Sequence, residues 1–125
     1  MRKTFLIISL LFGFSILATA QDDAQYKAWM KSLPPSLGAI KNAPDNAAAA
    51  AEATKVAETF DKVAAFWKTK NAEDAVGFSE TARDAAKAIA SGSGDKAENL
   101  QKIQGACGGC HKVHREGKAP DFTIK

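Results

Sequence analysis

The chain has 125 residues, with seventeen Lys and Arg against fourteen Asp and Glu for a net charge of +3. Removing an N-terminal export segment of 20 residues takes Arg2 and Lys3 with it and leaves about 105 residues at +1, enough for one domain and too few for a multidomain enzyme. So small a charge argues against wholesale nucleic-acid binding. The 23 Ala against 8 Val plus Ile from Gln21 onward favour helix over sheet, because alanine loses least side-chain entropy in a helix and β-branched residues lose most.

Residues 1–20 have the three parts of an export signal: Arg2 and Lys3, the apolar run Phe5 to Leu17, and the small residues Ala18, Thr19 and Ala20 before the expected cleavage at Gln21. An uncleaved membrane anchor is the competing reading. The apolar run is about 13 residues, however, against the roughly 20 that a spanning helix needs. No later segment is apolar and long enough to span. The mature domain, residues 21–125, is therefore expected in an exported compartment, which in a bacterium is the periplasm.

Tyr26, Met30, Leu33, Leu37 and Ile40 recur at helical steps. Asp22 or Asp23 is expected to cap the start, and Pro34-Pro35 to kink or break the helix, since proline donates no N–H and disfavours helical dihedrals in the residue before it. After a turn at Asn42, Pro44 and Asp45, a second stripe runs Ala49, Ala53, Val56, Phe60, Val63, Trp67. Asn71 with Asp74 resembles a capping box opening a third stripe, Ala75, Phe78, Ala82, Ala85, Ile89, which Ser91-Gly92-Ser93-Gly94 ends. Asp95 and Glu98 open a fourth, Leu100, Ile103, Cys107, Cys110, His114. Short turns force antiparallel neighbours, so the expected fold is all-α, an antiparallel up-down-up-down four-helix bundle. The start of helix 1, the end of helix 2, the start of helix 3 and the end of helix 4 then share one end.

Cys107-Gly108-Gly109-Cys110-His111 is the C-x-x-C-H pattern of covalent haem attachment. Positions three and four apart share a helix face, so two sulfurs can bond the two haem vinyl groups while the adjacent imidazole reaches iron. The glycines between them are expected to let a porphyrin approach the backbone. Two other readings compete. Cys107, Cys110, His111 and His114 as a zinc set is disfavoured because structural zinc sites draw ligands from separated segments. Cys107 and Cys110 as a disulfide or thiol redox pair lack the β-α-β context of such pairs.

An export signal, four helices and C-x-x-C-H near the C-terminus, with 14 residues after His111, resemble the class II c-type cytochromes, the cytochrome c prime family, over the whole mature chain. The resemblance implies one haem c, a four-helix bundle, and an iron either five-coordinate or ligated by a first-helix methionine, as in the low-spin His/Met subgroup. Met30 is the one methionine of the mature chain. At about 1.5 Å per residue, Met30 lies about 12 Å from the start of helix 1 and His111 about 9 Å from the end of helix 4. The two therefore sit at one level, and His111 and Met30 are the expected iron ligands. Methionine as plain core filling is the bland alternative. The family often carries an arginine one turn before the distal residue to meet a haem propionate; here that place is Tyr26, beside Lys27. His114, on the same helix as His111, reads as a surface or propionate-side residue.

Phe60, Val63, Trp67, Val76, Gly77 and Phe78 are the expected pocket wall, in a bundle narrow at its alanine end and splayed around haem at the other. Trp29, off the main stripe, is free to face a partner subunit, and the resemblance permits a homodimer through the first two helices. Lys102, Lys112, His114, Arg115 and Lys118, opposed nearby by Glu116, are either a patch steering acidic redox partners or a solvated helix face. From Gly117 a tail with Pro120 and Phe122 is expected to pack loosely. The leading function is a single-electron carrier rather than an enzyme. The alternative is a five-coordinate protein binding nitric oxide or carbon monoxide, and a catalytic haem enzyme would want polar distal groups, for which His114, the only histidine besides His111, is badly placed.

Overall fold

A computed structural model describes residues 4–118 and 121–125, with side chains from Asp22 onward. Arg2 and Lys3 of the export segment and Pro120 of the tail lie outside the described residues, as do the side chains of the apolar run. Four helices, α1 (Thr4–Lys41), α2 (Asn46–Thr69), α3 (Glu73–Ser91) and α4 (Lys96–His114), are followed by two short strands, β1 (Arg115–Glu116) and β2 (Thr123–Ile124). The expected all-α four-helix bundle is the observed architecture. α2 packs on α3, α3 on α4 and α1 on α2, while α1 and α4 touch least. Among the described residues no helix is long and apolar enough to cross a membrane.

Asp95 caps α4 as expected, and Asp45, expected in the turn, also caps α2. Asp45 accepts from the Ala48 N–H at 2.7 Å and Asp95 from the Glu98 N–H at 2.8 Å, bonds that each contribute about 1 kcal/mol to a helix start. Gly92 closes α3 in the left-handed conformation at φ 71°, where a side chain would be strained.

Three expectations about element ends fail. α1 does not begin at Asp22 or Asp23, because the helix runs through them from Thr4. Of the kink or break expected at Pro34 and Pro35, the break does not occur, since α1 is continuous through both. Each proline removes one hydrogen bond, at the carbonyls of Met30 and Lys31, but both rings stand exposed while Leu33 and Ile40 are buried on either side. Packing thus holds the segment helical. The capping box at Asn71 does not form either. The residue before α3 is Ala72, with no side-chain cap, because Asn71 adopts φ 54° to reverse the chain and the Asp74 carboxylate turns to His114.

The stripe of α2 is buried throughout, with Val56, Val63 and Trp67 almost fully so. At the end of the bundle shared by Tyr26 and Trp67, Tyr26 stacks on Phe66 with ring centroids 4.5 Å apart, and Trp67 meets both edge-on at 5.5 and 5.2 Å. Such pairs add about 0.5–1.5 kcal/mol each beyond the area they bury. The aromatic end is closed, and the alanine end carries a groove of about 550 Å³ between the start of α2 and the α3–α4 turn. Ala47, Ala49 and Ala50 are too small to fill the space the turn leaves there.

Candidate functional site

α4 turns its apolar stripe inward, burying Leu100, Ile103, Ala106 and Cys110, with Cys107 half-buried. The two cysteines are free thiols. Gly108 has open space where a Cβ would be, but Gly109 does not: a Cβ there would lie 2.5 Å from Cε1 of Phe78. The approach that glycine permits at position 109 is therefore made by an α3 ring.

Met30 on α1 and His111 on α4 line the same two adjoining cavities, together with Tyr26 and Cys110. The inner cavity, about 20 Å³, is completed by Phe60, Val63, Phe78, Ser79, Ala106 and Cys107. The outer one, about 10 Å³, is completed by His114, Arg115, Phe122, Thr123 and Ile124. Each has room for about one water, so seating a larger group requires the sparsely packed α1–α4 seam to part. Of the expected wall, Phe60, Val63 and Phe78 line the inner cavity. Trp67 instead backs Tyr26, and Val76 and Gly77 line neither cavity.

Burial raises the Cys107 thiol, and it pushes Cys110 up to about 11, with Asp74 and Cys107 adding to the effect. Both are therefore protonated at neutral pH, whereas a reactive redox pair depends on a depressed thiol. Burial lowers His111, and the Arg115 charge lowers it further, which keeps the imidazole neutral with a lone pair to donate. Tyr26 is raised to about 12 by burial, with Cys110 next in effect, and remains a phenol. Among the described residues no three of His, Cys, Asp and Glu converge to hold a metal, so Cys107, Cys110, His111 and His114 do not gather as a zinc set.

Of the two readings of His114, the structure sets aside the surface one. Its side chain is 14% exposed, its Nε2 lies 2.8 Å from Asp74 Oδ2, and its ring packs on Trp67 with centroids 4.7 Å apart. The tail is not loose either. Gly117 turns at φ 85°, β2 returns antiparallel to β1 with Arg115 opposite Ile124, and the Lys125 N–H donates to the His114 carbonyl at 2.9 Å. The Arg115 guanidinium lies 4.5 Å from the centre of the Phe122 ring, and Lys27 Nζ lies 5.8 Å from it. The expected basic patch is thereby thinned. Lys102 pairs with Glu98 at 2.8 Å, His114 and Arg115 turn inward, and Lys112 and Lys118 stay exposed. Trp29 is half-buried against the core and lines a shallow α1–α2 groove with Gln25, Lys62 and Phe66.

Phe66, Thr123 and Ile124 join the site or its backing without having been singled out in the sequence. Phe66 follows the stripe by neighbouring Trp67, and the alternation Phe122, Thr123, Ile124 was the available signal for a returning strand. Comparison with protein-family models, with curated proteins and with solved structures finds no match to this chain.

Proposed function

We propose that this chain is an exported c-type cytochrome, similar to the cytochrome c prime family, that holds one haem c and passes single electrons between redox proteins. The observation that carries the reading is the convergence of Met30, Cys110 and His111, from opposite sides of the α1–α4 seam, on the same two cavities, with Cys107 on the inner one.

The donor set suits the group. Two free, protonated thiols one helical turn apart supply the thioethers, with Cys107 on one cavity and the buried Cys110 on both. His111 supplies a neutral imidazole and Met30 a thioether, and thioether ligation favours the reduced metal. When bound, haem supplies the Fe(III)/Fe(II) couple. Phe60, Val63 and Phe78 offer it an apolar wall, while Tyr26 backs the space as an uncharged phenol. The exposed Lys112 and Lys118 beside the motif favour an acidic redox partner. No substrate chemistry is required of any residue.

The test is covalent haem content after expression with an export and haem-attachment pathway. The parent is expected to gain the mass of one haem that acid and organic solvent do not extract. Cys107→Ala, Cys110→Ala is expected to lose that mass. A parent recovered from the exported fraction with both thiols free would overturn the reading.

A further inference from the structure

We infer that β1, β2 and the Phe122 ring form a strap across the α1–α4 seam, which unfastens to admit the haem and, once fastened, limits the access of small outside ligands to its iron; this rests on the haem reading above. The site lies in the seam where the helices pack least. Its two cavities hold about one water each, so nothing larger enters while Met30 on α1 and His111 on α4 keep their present separation. Phe122, Thr123 and Ile124 form the ribbon wall of the outer cavity. Phe122 also reaches both sides of the seam. Lys27 Nζ, on α1, lies 5.8 Å from the centre of its ring, and the guanidinium of Arg115, the residue that follows α4, lies 4.5 Å from it. One ring thus meets a cation from each wall, at distances where such contacts attract. An outside ligand that takes the place of Met30 at the iron needs α1 to move away from α4, and this tie resists the movement. For an electron carrier, the restraint keeps both ligands on the metal.

The strap is fastened locally. Its ladder is two residues long, Arg115 opposite Ile124 and Glu116 opposite Thr123, and so short a two-stranded ribbon has little stability of its own. The further ties are the Lys125 N–H, which donates to the His114 carbonyl at 2.9 Å, and His114 Nδ1, which lies 3.3 Å from the Lys125 carbonyl oxygen. His114 is in turn held by Asp74 of α3, so the ribbon is hitched to α1, α3 and α4. None of these ties belongs to the α2–α3 interface, which is the most extensive in the bundle. They can therefore part by local unfolding while the bundle stays folded. The pivot is Gly117, at φ 85°, where a Cβ would lie 3.2 Å from the Asp121 carbonyl oxygen. Glycine takes that left-handed conformation and close approach without strain, and a larger residue does not. Gly117 lines neither cavity, so the turn can be weakened without touching the site.

The experiment uses the oxidised holoprotein and two readouts, hydrogen exchange at the Lys125 amide by NMR and the rate of cyanide binding followed optically. Phe122→Ala removes the ring between the two cations, and Gly117→Ala strains the turn away from the cavities. Each variant is expected to exchange the Lys125 amide faster, on the order of tenfold, and to bind cyanide faster by a similar factor. The amides of α2 and α3 are expected to exchange at the parent rate. Parent-rate cyanide binding in variants whose Lys125 amide exchanges faster would overturn the inference, as would parent-rate exchange of that amide in both variants. Loss of protection throughout α2 and α3 in both would place the ties in the bundle itself and overturn it too. Absence of attached haem in the parent would overturn the haem reading instead, and a mass spectrum separates the two cases.

Discussion

Gly109 and Phe78 lie in direct contact across the α3–α4 interface, so close that a Cβ on residue 109 would come within 2.8 Å of two ring atoms. Helix backbone cannot yield easily there, and the ring is wedged beside Cys107 on the inner cavity. Gly109→Ala is therefore expected to destabilise the fold by about 1–3 kcal/mol through overpacking, more than the helix propensity it gains. Adding Phe78→Leu is expected to restore most of the loss. Denaturant unfolding of the two single variants and the double variant checks this; additive losses in the double variant would contradict the contact.

The bond between His114 and Asp74 ties the end of α4 to the start of α3 and gives acid stability a specific origin. It holds the Asp74 carboxyl below its usual value. Because the folded-state value is depressed, the stabilisation is present above the ordinary aspartate pKa of about 3.9 and is lost as pH falls through the lowered one. Asp74→Asn is expected to melt below the parent at pH 5 to 7, with the gap closing below about pH 4. Melting curves across that range check it, and a gap that stays constant into strong acid would contradict it.

The elements legible in the sequence are those whose cause is local. Asp45, Gly92 and Asp95 fix helix ends through bonds within a turn, and the α2 stripe from Ala49 to Trp67 reports its buried face directly. The misread places are those where a distant contact wins. Pro34 and Pro35 stay helical because Leu33 and Ile40 pack, and Asp74 leaves its cap for a histidine 40 residues away. The ribbon joins Arg115 to Ile124 by a pairing only two residues long, too short for any periodicity to show. The spacing of Cys107, Cys110 and His111 put them on one side of α4, where all three line one cavity. The meeting of Met30 with His111 followed from counting turns in antiparallel helices, whereas the turn of Arg115 toward the site depended on the ribbon.

Haem is also expected to complete the core. Alanine supplies much of the buried surface, including Ala49, Ala53, Ala75, Ala82 and Ala86, and alanine buries little apolar area per residue at roughly 25 cal/mol per Å². The Cys107→Ala, Cys110→Ala protein without haem is expected to show a broad, low melting transition and weak near-ultraviolet circular dichroism while keeping its helical signal. A melting temperature within a few degrees of the holoprotein would contradict this.

The most direct test of the account is the optical spectrum of the purified holoprotein, oxidised and reduced, with carbon monoxide then added to the reduced form. If Met30 and His111 both ligate iron, sharp low-spin bands persist when the gas is added, and Met30→Ala converts them to a spectrum that responds to it. A broad high-spin spectrum in the parent that shifts with carbon monoxide, unchanged by Met30→Ala, would contradict ligation by Met30 and assign the protein to gas binding at a five-coordinate iron.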